Sequence, residues 1–115
     1  MKHEMKLQNE PFVAIKNGTK TIEMRLYDEK RKLVKVGDII EFTNITTEEK
    51  IITQVEHLYL YPSFEELYNN HNKTELGYKQ NEKAVPTDMT KYYSFQEQEK
   101  YGVVGIKVKL IFKLS

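Results

Sequence analysis

The stretch Asn17–Arg25 reads Asn-Gly-Thr-Lys-Thr-Ile-Glu-Met-Arg, and its second half alternates between polar and apolar side chains. Successive side chains of an extended strand point to opposite faces of the sheet. The polar face would carry Thr21, Glu23 and Arg25, and the apolar face would carry Ile22, Met24 and Leu26. A strand holds functional groups more rigidly than a loop does. The pattern therefore predicts a strand that is anchored in an apolar core and presents an acid beside a base.

Lys20 does not fit this alternation. If the strand continued backwards, the Lys20 ammonium group would point to the apolar side, which is energetically costly. The backbone is therefore predicted to turn or bulge at Thr19–Lys20, directly after Gly18. Lys20, Glu23 and Arg25 would then converge on one cleft, where Arg25 offers a planar donor fork, Lys20 a mobile charge and Glu23 an acceptor or general base. The alternative interpretation is an ordinary solvated sheet face with a weak ion pair.

The rest of the chain alternates between short strand and helix patterns. Apart from residues 21–26, the predicted strands are at 5–7, 39–42, 50–61 and 104–113, the last with Val104, Ile106, Val108, Leu110 and Phe112 on one face. Asn9 or Glu10 is predicted to cap a first helix with Pro11 in its first turn, and further helices are predicted to begin at 64 after a Ser63–Glu66 capping box, at 89 and at 94. Residues 69–85 are polar, and we expect little regular structure there. The fold class is α+β, a small curved or closed β-barrel of five to six strands with short helices outside.

Composition limits the classes of function. The 115 residues suit one domain, residues 1–115, and 18 basic against 17 acidic side chains give a net charge of +1, so any anion site must be local. The absence of cysteine excludes a thiol nucleophile and thiolate metal sites. The three histidines have no ligand spacing and no glycine-rich phosphate loop occurs, so we predict neither a metal nor a cofactor. The N-terminus lacks a signal peptide and no apolar run could span a membrane, which makes the cytoplasm the expected location.

Tyrosine is abundant, with eight residues against no tryptophan. Tyr92 and Tyr93 precede the last strand, and tyrosine rings stack on nucleic-acid bases. We expect one of these two rings to pack and the other to face the cleft, and assign stacking on a base to Tyr93. Tyr59 and Tyr61 fit the rim of a core better. A basic stripe on the last strand fits a solvated face or a contact with phosphate: Lys107, Lys109 and Lys113.

Four residues of the opening stretch match the motif of a known family. The motif is Gly-x-Lys-x-x-Glu-x-Arg of the ASCH family, and its positions are filled by Gly18, Lys20, Glu23 and Arg25. The chain resembles small bacterial single-domain members over nearly its whole length. The resemblance implies a PUA-like barrel and a cleft that binds RNA or a nucleotide. Lys20 and Arg25 would hold phosphate, Glu23 would accept from a base amino group or sugar hydroxyl, and Tyr93 would stack.

The same resemblance implies an alternative function. Some small bacterial ASCH proteins are amidohydrolases that remove an acyl group from the exocyclic nitrogen of cytidine, with the motif lysine, a threonine three residues later and a distant glutamate. Lys20 matches the lysine, but Glu23 occupies the threonine position, and no motif fixes Glu75 as the distant glutamate. Either Thr21 would act as a displaced nucleophile activated by Lys20, or Glu23 would activate water as a general base. Because the chain follows the broader motif, binding is preferred, with metal-independent hydrolysis as the alternative.

Overall fold

The computed structural model describes residues 1–114, with side chains described up to Lys113. One sheet of five strands curls into a half-barrel in the order β1-β3-β4-β5-β2. Its strands are β1 (Lys2–Leu7), β2 (Ile22–Leu26), β3 (Ile39–Asn44), β4 (Lys50–Tyr61) and β5 (Val103–Leu114). β1 runs parallel to β3, and the other neighbouring strands are antiparallel. The two edges of the half-barrel are therefore β1 and β2.

Short helices connect these strands. They are α1 (Asn9–Asn17), α2 (Phe64–Asn69) and α3 (Phe95–Tyr101), with 3-10 helices at Arg31–Leu33 and Pro86–Lys91. The helix predicted to begin at residue 89 is the second of these 3-10 helices, and it begins earlier, at a proline. Ser63 accepts the Glu66 N–H, which is half of the predicted capping box, and the complete box forms at Ser94 and Glu97. Among the helices of residues 1–114, none has the length and apolar character needed to span a membrane.

Two apolar clusters lie on opposite faces of the sheet. The inner core fills the half-barrel and consists of Met5, Leu7, Phe12, Ile15, Val34, Ile40, Phe42, Ile51, Val55, Val104, Ile106 and Val108. The outer core lies under the helices and consists of Ile22, Met24, Leu26, Phe64, Leu67, Leu76, Met89 and Val103. β2 contributes apolar residues to the outer core alone. The β2 residues of opposite phase are Glu23 and Arg25, which pair with Ile106 and Val104 of the inner core.

The predicted alternation of the last strand holds for only part of its length. Val104, Ile106 and Val108 are buried in the inner core, but Phe112 is 62% exposed. The predicted alternation, which places Phe112 on the same face as Val104 and Ile106, is therefore wrong at Phe112. The pairing register with β4 shifts between Ile52 and Thr53, because β5 contains one extra residue at Ile111. An extra residue reverses the phase of the side chains that follow it.

Candidate functional site

The connection from α1 to β2 directs the Lys20 side chain. Gly18 ends α1 in a left-handed conformation with φ of 82°. The N–H groups of Thr19 and Lys20 then both donate to the Ala14 carbonyl, at 3.0 Å each. The next two N–H groups, of Thr21 and Ile22, donate to the Glu75 carbonyl at 3.0 Å. The chain therefore turns before β2 starts, and Lys20 does not follow the alternation of the strand.

Lys20, Glu23 and Arg25 form one contiguous cluster, hereafter the motif triad. Lys20 Nζ lies 3.0 Å from Glu23 Oε1, and Arg25 Nε donates to Glu23 Oε2 at 2.7 Å. The exposed fractions of the side chains are only 8%, 5% and 12%, respectively. Two cations thus share one carboxylate, and the triad carries a net charge of +1 behind a largely closed surface.

Charge pairing outweighs burial within the triad. Burial alone would raise the pKa of Glu23, but the charges of Lys20 and Arg25 lower it below its ordinary value. Burial would likewise lower the pKa of Arg25, but Glu23 and the Tyr93 hydroxyl raise it. Glu23 is therefore ionised at neutral pH, with each oxygen engaged by a cation. A carboxylate in this state is a poor proton acceptor, which weakens the case for Glu23 as a general base.

Arg25 also links the two edges of the half-barrel. Its Nη2 donates to the Lys6 carbonyl at 3.0 Å, so a β2 side chain bonds the backbone of β1. β1 and β2 are not neighbours in the sheet. The motif triad therefore lies where the half-barrel is open, beside the inner core.

The loop over residues 70–85 covers Lys20, a contact that the sequence did not predict. A Cβ built on Gly77 would lie 3.0 Å from Lys20 Cδ, and Gly77 has φ of +107°. Both the space and the conformation therefore require glycine at this position. The neighbouring Leu76 is buried in the outer core and anchors the loop. The only signal in the sequence was a glycine within a polar segment.

A cleft of about 1300 Å³ opens beside the triad, between α1 and a wall of tyrosines. The Tyr78 hydroxyl donates to Asp88 Oδ2 at 2.8 Å and lies 2.8 Å from the Tyr68 hydroxyl. Burial and these hydrogen bonds raise the pKa of Tyr78, so its hydroxyl stays protonated. The Tyr93 ring stacks on Phe64 with centroids 5.9 Å apart and borders the cleft. The wall is therefore aromatic and polar.

The other predicted site residues have different positions. As far as residues 1–114 define the cleft, Gly18, Thr21 and Glu75 do not line it. Gly18 caps α1, and Glu75 acts through its backbone carbonyl. Thr21 precedes β2, and its Oγ1 is buried without a hydrogen-bond partner among the described residues. The candidate nucleophile and the distant glutamate therefore lie outside the cleft.

Two further features bear on the site. Tyr92 lines the cleft with Tyr93 but is 60% exposed, so the packed ring is that of Tyr93. Within residues 1–114, no three His, Asp or Glu side chains are grouped so that they could hold a metal ion.

The model of the ASCH domain family matches residues 5–112, which is nearly the whole chain. The chain belongs to the ASCH family. This ASCH domain has the PUA-like fold, and the family is proposed to bind RNA. No curated protein matches the chain.

Three solved structures are similar to this ASCH domain. The crystal structure of hypothetical protein PH0355 is 35% identical with a TM-score of 0.84, over 96% of this chain and 100% of that one. The solution NMR structure of protein PF0455 from Pyrococcus furiosus is 32% identical with a TM-score of 0.73, over 96% and 98%. The ASCH crystal structure from Zymomonas mobilis is 15% identical with a TM-score of 0.69, over 97% and 71%, and supports the fold alone.

Proposed function

We propose that this ASCH domain binds single-stranded RNA or a nucleotide in the cleft, with Lys20 and Arg25 contacting phosphate. The observation that carries the proposal is the net positive charge of the motif triad. Its three side chains are at most 12% exposed, and water screens their charges poorly. Unbalanced buried charge is costly. An anionic group in the cleft would offset that cost, so we expect the domain to bind ligands that carry a phosphate.

The donors of the triad support this role. A lysine ammonium has three N–H groups, and Lys20 Nζ has Glu23 as its one ion-pair partner among the described residues. Lys20 therefore keeps donors for a ligand. Glu23 holds the two cations together, so its main role in the proposal is to position Lys20 and Arg25 rather than to read a base.

Tyr93 supports recognition of a base. One face of its ring packs on Phe64, and the residue also borders the cleft beside Arg25. A base could stack on the other face, an interaction worth about 1–3 kcal/mol in single-strand binders. The cleft therefore offers a phosphate contact and a stacking surface side by side. The hydrolase alternative has no such support, because Thr21 lies outside the cleft and both Glu23 oxygens are engaged.

The test is fluorescence anisotropy with a short labelled single-stranded RNA over a salt series. We expect a shallow log–log salt slope of roughly −1 to −2, since few phosphates are engaged. Lys20→Met keeps the aliphatic stem under Gly77 and leaves Glu23 paired with Arg25, so the fold should survive. This variant should bind RNA about tenfold more weakly, which corresponds to about 1.4 kcal/mol.

The matched control is Lys109→Ala, which removes the same charge from an exposed position on β5 outside the cleft. Its affinity should stay within about twofold of the native value, as expected for a rim or remote charge. If Lys109→Ala weakens binding as much as Lys20→Met, the basic stripe of β5 is the binding surface instead. If the native domain does not bind RNA or a nucleotide at low salt, the proposal fails.

A further inference from the structure

A second, smaller concavity of about 490 Å³ adjoins the cleft. Lys6 and Arg25 line both cavities, so the two meet where the Arg25 guanidinium bonds the Lys6 carbonyl. Lys30 and Lys50 line the smaller cavity alone, and its single acidic side chain is Glu4. We call this concavity the basic recess.

The charges of the basic recess are unbalanced. Lys6 and Lys30 have exposed side chains, and neither forms an ion pair with any described residue. Lys50 is partly compensated, because its Nζ lies 3.5 Å from Glu41 and donates to the Thr43 hydroxyl at 3.1 Å. Mobile lysine ammonium groups act as point charges that suit phosphate oxygens. The net charge of the whole chain is only +1, so this local excess is a distinct feature.

We infer that the basic recess binds a backbone phosphate of an RNA strand, next to the nucleotide in the cleft. This inference rests on the proposed function. A strand crossing over Lys6 and Arg25 would leave one cavity and enter the other, and each added nucleotide brings another phosphate. A nucleoside monophosphate carries a single phosphate, so it supplies a phosphate to only one of the two cavities. The physiological ligand is then an RNA chain, and the recess discriminates it from free nucleotides.

The experiment compares two probes on the same proteins. The first is a short fluorescein-labelled single-stranded RNA followed by anisotropy, and the second is cytidine 5′-monophosphate followed by calorimetry. The variant is Lys30→Ala/Lys50→Ala, which removes two recess charges and leaves the motif triad intact. The matched control is Lys109→Ala/Lys113→Ala, which removes two exposed lysines of β5 outside both cavities.

We expect the recess variant to bind RNA about tenfold more weakly, with a salt slope shallower by roughly 0.7 for each phosphate that the protein no longer neutralises. Its affinity for the mononucleotide should equal that of the native domain, and the β5 control should change neither. Lys30→Glu serves as a second variant, because Lys30 is exposed in a turn and its reversal should not disturb folding. The single variant Lys30→Ala is measured beside it, and Lys30→Glu should lose more RNA affinity because it replaces attraction to the phosphate with repulsion.

The possible failures are distinguishable. If native RNA affinity and slope persist in Lys30→Ala/Lys50→Ala and in Lys30→Glu, the recess is not a phosphate subsite, while the cleft proposal stands. An equal loss in the β5 control would also overturn the recess. If the native domain binds neither probe, the proposed function itself is wrong.

Discussion

Glu23 and Glu41 are both buried carboxylates, each bridging two cations, but their surroundings differ. Glu23 joins Lys20 and Arg25, whose side chains are 8% and 12% exposed. Glu41 joins Lys2 at 3.1 Å and Lys50 at 3.5 Å, whose side chains are 55% and 45% exposed. In both cases the cations lower the pKa of the carboxylate. For Glu41 the main cause is the hydrogen bond from Lys2. For Glu23 burial acts strongly in the opposite direction, and the two cations together outweigh it.

The comparison shows what the same charge pattern means in two environments. Exposed ion pairs are solvated whether or not they form, so they contribute at most about 1 kcal/mol. Buried pairs carry a desolvation cost, and apolar residues could often replace them without loss of stability. The ion pairs of Glu41 need no explanation beyond a solvated face of the sheet, where Lys2 and Lys50 are about half exposed. The buried motif triad does need an explanation, and the proposed phosphate ligand of Lys20 and Arg25 would provide one.

The largest expected effect comes from removing each carboxylate in turn. Glu23→Gln keeps the side-chain size but leaves two buried cations without their counter-ion, so the free energy of unfolding should fall by about 3–5 kcal/mol. Glu41→Gln leaves two cations that water can solvate, and its loss should be at most about 1 kcal/mol. Urea denaturation of both variants at neutral pH measures the difference. Equal losses would mean that the two clusters are energetically alike, whatever their difference in exposure.

A second prediction concerns the packing of the Lys20 stem, which has no counterpart in the Glu41 cluster. Gly77→Ala combines backbone strain with a methyl group 3.0 Å from Lys20 Cδ, so we expect a loss of about 1–2 kcal/mol and weaker RNA binding.

The control for that variant is Gly37→Ala. Gly37 has φ of +92°, and a Cβ there would meet no described atom within 4 Å. This variant should suffer the strain alone, about 1 kcal/mol, with unchanged RNA binding. Thermal melts and anisotropy on the same samples separate the effect of backbone strain from the effect of displacing Lys20. Loss of binding in Gly37→Ala would show that strain, rather than displacement of Lys20, explains both variants.

The smallest effect is on acid sensitivity. A carboxylate whose pKa is lowered on folding stabilises the fold above its unfolded value, here about 4.5, and that stability is lost as the pH falls through the lowered value. Removing Glu23 should therefore reduce the loss of stability between pH 7 and pH 3. Removing Glu41 should reduce it less, and added salt should erase much of the Glu41 contribution because exposed pairs are screened. Denaturation curves at the two pH values, with and without salt, provide the check.

Periodicity and motif spacing predicted much of the fold. The bounds of β4 agree with the prediction, and the alternation of β2 correctly separates Ile22, Met24 and Leu26 from Glu23 and Arg25. These patterns depend on neighbours in sequence, which is why the sequence alone could reveal them. Alternation alone could not show how far the Glu23 face is closed to water, because that depends on distant parts of the chain.

The parts of the site that escaped prediction depend on contacts far apart in sequence. The Glu75 carbonyl and Gly77 reach Thr21 and Lys20 from a polar loop without hydrophobic periodicity. Every residue has a backbone carbonyl, so the sequence does not show which carbonyl accepts a hydrogen bond. A single glycine also does not show which side chain packs against it. Likewise, the bond from Arg25 to the Lys6 carbonyl depends on how the half-barrel curls.

Glu23 and Arg25 of β2 also affect how the domain behaves among other copies of itself. β2 is an edge strand, and exposed edges can template pairing with another chain and aggregation. Charges that point inward on an edge strand are one device by which proteins discourage such pairing, since a second strand would have to bury them further. Glu23 and Arg25 occupy those positions, and the Glu75 carbonyl already holds the first N–H of β2. Colloidal solubility therefore depends on the same residues as the proposed binding of RNA, and a variant that makes this face apolar would risk precipitation.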